Sequence, residues 1–304
     1  MPILVLSCPK CGAPLPRQAR WRMVPCPHCG SMVTRSEDVV PVDPFKEAWA
    51  RAQSAPSGEE VRIQEQRYRI QTRLGRGPSS EVLLADRVGV LPERVVLKVA
   101  EEDCSTFDHE LDALRKLGEA DPIQCLPQPI RAGISSGPRA AGRKVLVLRH
   151  LPGHWGTLAD YLARHPEGVD PRHGVWMWRR VLGTLGLIHG QGWAHGQLSP
   201  EHLLLHPRDH GVMVLGWSQA NPNTSSQARA HDLLQVAWSI RVALCGSGDP
   251  EELPSSLPTP LAELLERSCD QRWVEGQDPS RIDLALQEAS KQAFGPPQFI
   301  PFVP

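Results

Sequence analysis

Tyrosine is nearly missing from this chain, with two residues against nine tryptophans, and lysine is scarce, at six of 33 cationic side chains. No apolar run approaches the roughly 18 residues that a membrane helix needs, so a spanning segment is not expected. Charge of one sign is lacking too: 33 basic and 34 acidic residues leave a formal charge of -1, which argues against a polyanion-binding surface over the whole molecule. The first residues have neither the basic stretch nor the long apolar stretch of an export signal. Cys104, Cys125, Cys245 and Cys269 are scattered without motif spacing, which excludes a disulfide framework and suits reduced thiols in the cytoplasm. The arginine bias, with abundant proline, hints at a GC-rich bacterial genome. At 304 residues and 40% hydrophobic content the chain holds one large domain plus a minidomain.

The remaining four cysteines do have motif spacing. Cys8-Pro9-Lys10-Cys11-Gly12 and Cys26-Pro27-His28-Cys29-Gly30 form two C-P-x-C-G knuckles, and residues 1–35 therefore read as a C4 zinc ribbon. Each C-x-x-C brings two thiolates together from one tight turn, and two such turns complete a tetrahedral S4 shell. So short a segment has little core, and structural zinc on Cys8, Cys11, Cys26 and Cys29 is expected to supply much of its folding energy. Lys10, Arg17, Arg20, Arg22 and Arg35 make the ribbon locally basic, so it binds either protein or, less favoured, nucleic acid.

Further along, Leu74-Gly75-Arg76-Gly77-Pro78-Ser79-Ser80-Glu81-Val82 fits a G-x-G-x-x-G-x-V loop except at Ser80. The β-branched run Val95 to Val99 carries one lysine, Lys98, and the helical pattern Phe107 to Leu117 carries Glu110. A strand over 144–148 then leads into residues 149–162. Next, His195-Gly196-Gln197-Leu198-Ser199-Pro200-Glu201-His202 overlays H-R-D-L-x-x-x-N, and Gly216-Trp217-Ser218 follows a strand where D-F-G would stand. In this order the motifs resemble the protein kinase-like superfamily. The resemblance implies an α+β, bilobal protein kinase-like fold over residues 61–294, with a small β-rich lobe and a reduced helical large lobe, preceded by the zinc ribbon and a 36–60 linker with one short helix. It also implies that Gly75, Gly77, Lys98 and Glu110 are the nucleotide-site residues, Lys98 and Glu110 being either a structural ion pair or phosphate contacts. His195, Leu114 and Trp217 fall where the family builds its apolar spine.

The family's carboxylates are absent. Gln197 stands at the catalytic base and cannot accept a proton near neutral pH, Ser199 replaces a lysine, and His202 and Gly216 replace the two magnesium-holding side chains. Fifteen residues separate Gly216 from Asp232, with no A-P-E motif and no familiar peptide platform. The expectation from these losses is a catalytically inactive pseudokinase, not an enzyme, acting in the cytoplasm as a regulatory scaffold for protein partners, with no membrane contact. A nucleotide switch that holds ATP without a conventional magnesium site is the alternative. An active transferase of altered chemistry is the further one, with Asp209, Glu201 and Asp103 as relocated carboxylates. The proline-interleaved end, residues 295–304, suits an extended strip laid in a groove, self-docking being favoured over a partner.

Purified chain is predicted to carry one zinc ion by elemental analysis. Paired Cys8→Ser and Cys26→Ser substitution removes it; zinc retained in that variant would refute the S4 assignment.

Overall fold

A computed structural model of the full chain describes residues 59–77, 79–89, 93–101, 106–119, 125–222 and 225–304, together with two short strands near the N-terminus. The chain divides into two compact units, Met1–Gly58 and Glu59–Pro304. In the first, β1 (Val24–Pro25) pairs antiparallel with β2 (Met32–Val33). Cys8, Cys11, Cys26, Cys29, the short helix expected in the linker, Asp103 and Cys104 lie outside the described residues.

The second unit begins with an antiparallel sheet of six strands. These are β3 (Glu60–Ile63), β4 (Gln66–Arg76), β5 (Ser80–Arg87), β6 (Glu93–Ala100), β7 (Pro129–Ile134) and β8 (Lys144–Arg149), in the order β3-β4-β5-β6-β8-β7. An isolated pairing of Ile63 with Ser135 joins the first strand to the end of β7, so the sheet curls into a half-barrel. The period-2 alternation of strand side chains explains its filling. Val95, Leu97 and Val99 of β6 point into the curl with Val61, Ile63, Tyr68, Leu83, Val145 and Val147. Lys98 therefore faces out of it, toward α1 (Thr106–Gly118).

The rest is mainly helical. α2 (Leu158–Leu162) follows β9 (Gly156–Thr157). The long α3 (Pro171–Gly190) and α4 (Ser226–Cys245) pack together, and α5 (Thr259–Ser268), α6 (Gln271–Val274) and α7 (Pro279–Phe294) close the lobe. The long helices start where side chains cap them: Asp170 accepts from Arg172 N–H, Ser225 from Ala228 N–H, and Asp278 from Ser280 and Arg281 N–H. Proline at the first position of α3 and α7 sacrifices only a donor that would have no helical partner. α4 buries residues on every side, including Asp232 and Arg241, so it forms the centre of the lobe. One continuous core runs from Phe107, Leu114 and Leu117 of α1 through Leu146 to Met177, Leu185, Val236 and Ile240.

Between the helices sit β10 (Trp193–Ala194), paired with β13 (Asn221–Pro222), and the hairpin of β11 (Leu203–His206) and β12 (Gly211–Val214), to which β9 adds a third strand. The C-terminal strip docks on this lobe as an irregular segment. Phe302 is buried against Tyr161, His173 and Trp176, with ring centroids 5.0, 4.9 and 5.7 Å away, while Phe299 stacks on His210 at 4.5 Å.

Emptying this aromatic pocket by Phe302→Ala is predicted to cost about 3 kcal/mol in urea unfolding, as a lower midpoint at unchanged slope. A midpoint equal to that of the parent would mean the strip adds nothing to the fold.

Candidate nucleotide cleft and the family it belongs to

Lys98 is set by register. It pairs across the sheet with Val82 of β5 and Leu146 of β8, two residues from the turn where Gly77 N–H donates to Ser80 C=O at 2.8 Å. β4 and β5 thus form a tight hairpin beside the lysine's strand in the sheet, Gly75 opposite Val82 and Arg76 opposite Glu81. Across from it, Glu110 projects from α1 and receives the Lys98 ammonium at 2.6 Å, with the side chains 15% and 4% exposed. The Phe107 ring lies 5.4 Å from the same nitrogen. Lys98 and Glu110 are therefore in contact, while Gly75 lies across β5 from Lys98, opposite the Val82 that pairs with it. Glu81 is buried and accepts from Arg139 Nη2 at both carboxylate oxygens, 3.0 Å each, while Arg139 Nη1 donates to Glu59, which anchors the glycine hairpin to the β7–β8 connection.

The loop from His195 to His202 is held from below by one carboxylate. Asp232, fully buried on α4, accepts from His195 N–H and Gly196 N–H at 2.8 Å each and from His189 Nε2 at 2.9 Å. Gln235, one turn on, accepts from Leu198 N–H at 2.8 Å. Gly196 needs its φ of 81°, and a Cβ there would sit 2.9 Å from the Gln219 carbonyl. His195 is buried beside Trp217, ring to ring at 4.7 Å, and Leu114 is equally enclosed, so the spine positions are filled as expected.

Partners on both ring nitrogens fix the His195 tautomer. Nε2–H donates to Leu215 C=O at 2.8 Å, and Nδ1 accepts from Gln197 N–H at 3.2 Å. Burial disfavours the imidazolium and lowers the pKa to about 4, against the opposing pull of the Asp232 carboxylate and the Leu215 carbonyl.

The substituted positions form a second cluster. His202 Nδ1 donates to Gln197 C=O at 2.5 Å and lies 3.3 Å from Ser199 Oγ, and Leu215 N–H donates to His202 C=O at 2.8 Å, so the loop and the strand leading to Gly216 are tied at His202. Of the relocated carboxylates, Glu201 stays on the loop, exposed. Asp209 does not reach the cleft: register from Leu203↔Val214 to His206↔Gly211 puts it at the hairpin end remote from Gly216, beside His206 at 3.6 Å and Arg208 at 3.9 Å. The turn Trp217–Gln219 and β13 lead into α4 with no room for a long segment, and the Ala220 carbonyl meets His109 of α1.

Sequence comparison supplies what geometry alone cannot. The model of the lipopolysaccharide kinase (Kdo/WaaP) family matches residues 93–252, more than half of the chain. The chain belongs to that family. It is also similar to maternal embryonic leucine zipper kinases: 25% identical over 143 residues to that of Xenopus laevis (45% of this chain, 20% of the relative) and 26% over 153 residues to that of Danio rerio (49% and 21%). The chain thus spans about a fifth of the length of these relatives.

These findings correct the expectation that this Kdo/WaaP family member is no enzyme: both the family and the relatives are named as kinases. The physical error was to equate lost carboxylates with lost chemistry, although phosphoryl transfer rests mostly on positioning and charge neutralisation, and the Lys98–Glu110 pair is formed. The Asp232 hub joins segments that are far apart in the sequence. Its signal was present in the paired His189-Gly190 and His195-Gly196 steps, whose role appears only when α4 lies beneath them.

Two outcomes are predicted. Asp232→Ala, which leaves two buried backbone donors unpaired, is expected to cost about 3 kcal/mol or more in chemical unfolding. Because the His195 pKa is about 4 in the folded chain against 6.5 free, the unfolded state binds the extra proton between these values. Stability is therefore full above pH 6.5 and falls by roughly 3 kcal/mol as pH drops toward 4. His195→Gln is expected to flatten that slope; an unchanged slope would place the acid-sensitive group elsewhere.

Proposed function

We propose that the chain is a nucleotide-dependent phosphotransferase that acts on a non-peptide hydroxyl, such as that of a sugar. The observation that carries this reading is the Lys98–Glu110 pair, 2.6 Å long and nearly buried, in a chain that belongs to a kinase family. Lys98 and the hairpin are suited to hold triphosphate oxygens, Glu110 fixing the ammonium rather than taking part in chemistry. The acceptor oxygen bonds the γ-phosphorus as the bond to the β,γ-bridging oxygen breaks, and the nucleoside diphosphate leaves. In a loose transition state the acceptor proton is lost late and passes to the transferred phosphate. Gln197 is then needed only to orient the hydroxyl through its amide oxygen.

A non-peptide acceptor is supported by the short path from Gly216 to α4, which leaves no platform for an extended peptide, and by the family's description as lipopolysaccharide kinases. In the same reading the N-terminal knuckles hold structural zinc and form a protein-docking module, and the protein works in the cytoplasm.

The test is transfer of label from γ-labelled ATP to a panel of glycosyl and peptide acceptors. Label is expected on a glycosyl acceptor, reduced at least about a hundredfold by Lys98→Ala and less than about tenfold by Gln197→Ala. Transfer that survives Lys98→Ala, or that reaches peptides alone, would contradict the proposal. Loss with Glu201→Gln would assign the proton to that carboxylate instead.

A further inference from the structure

The magnesium ion that a kinase-like fold implies does not fit this cleft, and the misfit has a definite cause. Gly216 has φ 80° and ψ 49°, a left-handed conformation that aspartate and asparagine enter more readily than most side chains. The backbone is still set for the carboxylate that the superfamily carries there. What obstructs it is the His202 ring: a Cβ on Gly216 would meet Cδ2 and Nε2 at 2.5 Å and Cε1 at 3.0 Å.

That ring is tethered. Its Nδ1 lies 2.5 Å from Gln197 C=O and 3.3 Å from Ser199 Oγ, while the residue's own carbonyl is held by Leu215 N–H. A carbonyl can only accept, so the hydrogen resides on Nδ1 and the Nε2 edge is turned to Gly216. An imidazole nitrogen is a poor partner for a hard, strictly octahedral cation. Gln197, Ser199, His202 and Gly216 therefore make one fitted set, in which the ring fills the volume that a metal-holding side chain would need.

We infer that His202 plugs the divalent-ion position, that Gly216 is glycine because the ring is there, and that the cleft takes its nucleoside triphosphate as the metal-free anion. The inference rests on the nucleotide reading above and deepens it by naming the form of the ligand.

Thermal unfolding of the full chain tests it, using the parent, Gly216→Asp, His202→Asn and the double variant, each with ATP in EDTA or in excess Mg²⁺ and each read against the same buffer without ATP, so that zinc drawn from the N-terminal knuckles by EDTA cancels. In the parent, ATP is expected to raise Tm equally in both, with apparent affinities within about threefold. In the double variant the rise should depend on Mg²⁺, with affinity at least about tenfold better than in EDTA. Without ligand, Gly216→Asp should lower Tm more in the parent than in the His202→Asn background, since the two sites are in contact. Stabilisation of the parent only with Mg²⁺, or an equal cost of Gly216→Asp in both backgrounds, would overturn the inference. No shift with ATP in any form would overturn the nucleotide reading, while the ligand-free comparison still decides the plug. If the double variant does not fold, the parent's two ATP arms decide alone.

Discussion

The buried carboxylate of Asp232 is the constraint on which the cleft depends. A carboxylate with no exposure is tolerable only if donors surround it, and here they are the backbone N–H groups of His195 and Gly196 and the His189 imidazole. The requirement works in both directions. Asp232 dictates the path of the loop that carries Gln197, Ser199 and His202, and the loop satisfies a charge that α4 could not otherwise bury. Above it His195, with both ring nitrogens engaged, carries the ordering on to Leu215 and so to Gly216.

The opposite side of the cleft is ordered independently. Strand register sets Lys98 outward from the curled sheet, α1 brings Glu110 to it, and the Arg139–Glu81 contact secures the glycine hairpin above. Two separately stabilised parts thus carry the candidate site, one built on an ion pair and one on hydrogen bonds. That is a suitable division of labour for phosphoryl transfer, in which fixed charge and orientation matter more than proton abstraction.

Much of this was legible in the sequence because it follows short periodicities. Alternation over Val95 to Val99 placed Lys98, and helical spacing over Phe107 to Leu117 placed Glu110. The proline-rich end was foreseen as a docked strip, although that Phe302 would enter an aromatic pocket was not. What escaped depends on contacts between segments. Gly216 and His202 each looked like a separate loss, fourteen positions apart, until the Leu215 to His202 hydrogen bond set one ring against one α-carbon. Asp209 seemed a spare carboxylate for the cleft because sequence distance hides the direction in which a hairpin points. The step from missing carboxylates to a missing activity failed for a different reason: residue identity at a motif position does not fix how the transition state is stabilised, and the family to which the chain belongs is one of kinases.

Lys98 and the plugged loop are proposed to hold a triphosphate between them. The most direct test is a crystal structure of the chain with a non-hydrolysable ATP analogue grown in EDTA. Phosphate oxygens are expected in hydrogen-bond contact with Lys98 Nζ, with the His202 ring still between the loop and Gly216. An analogue absent from the cleft, or bound only after magnesium is added and with the His202 ring displaced, would contradict it.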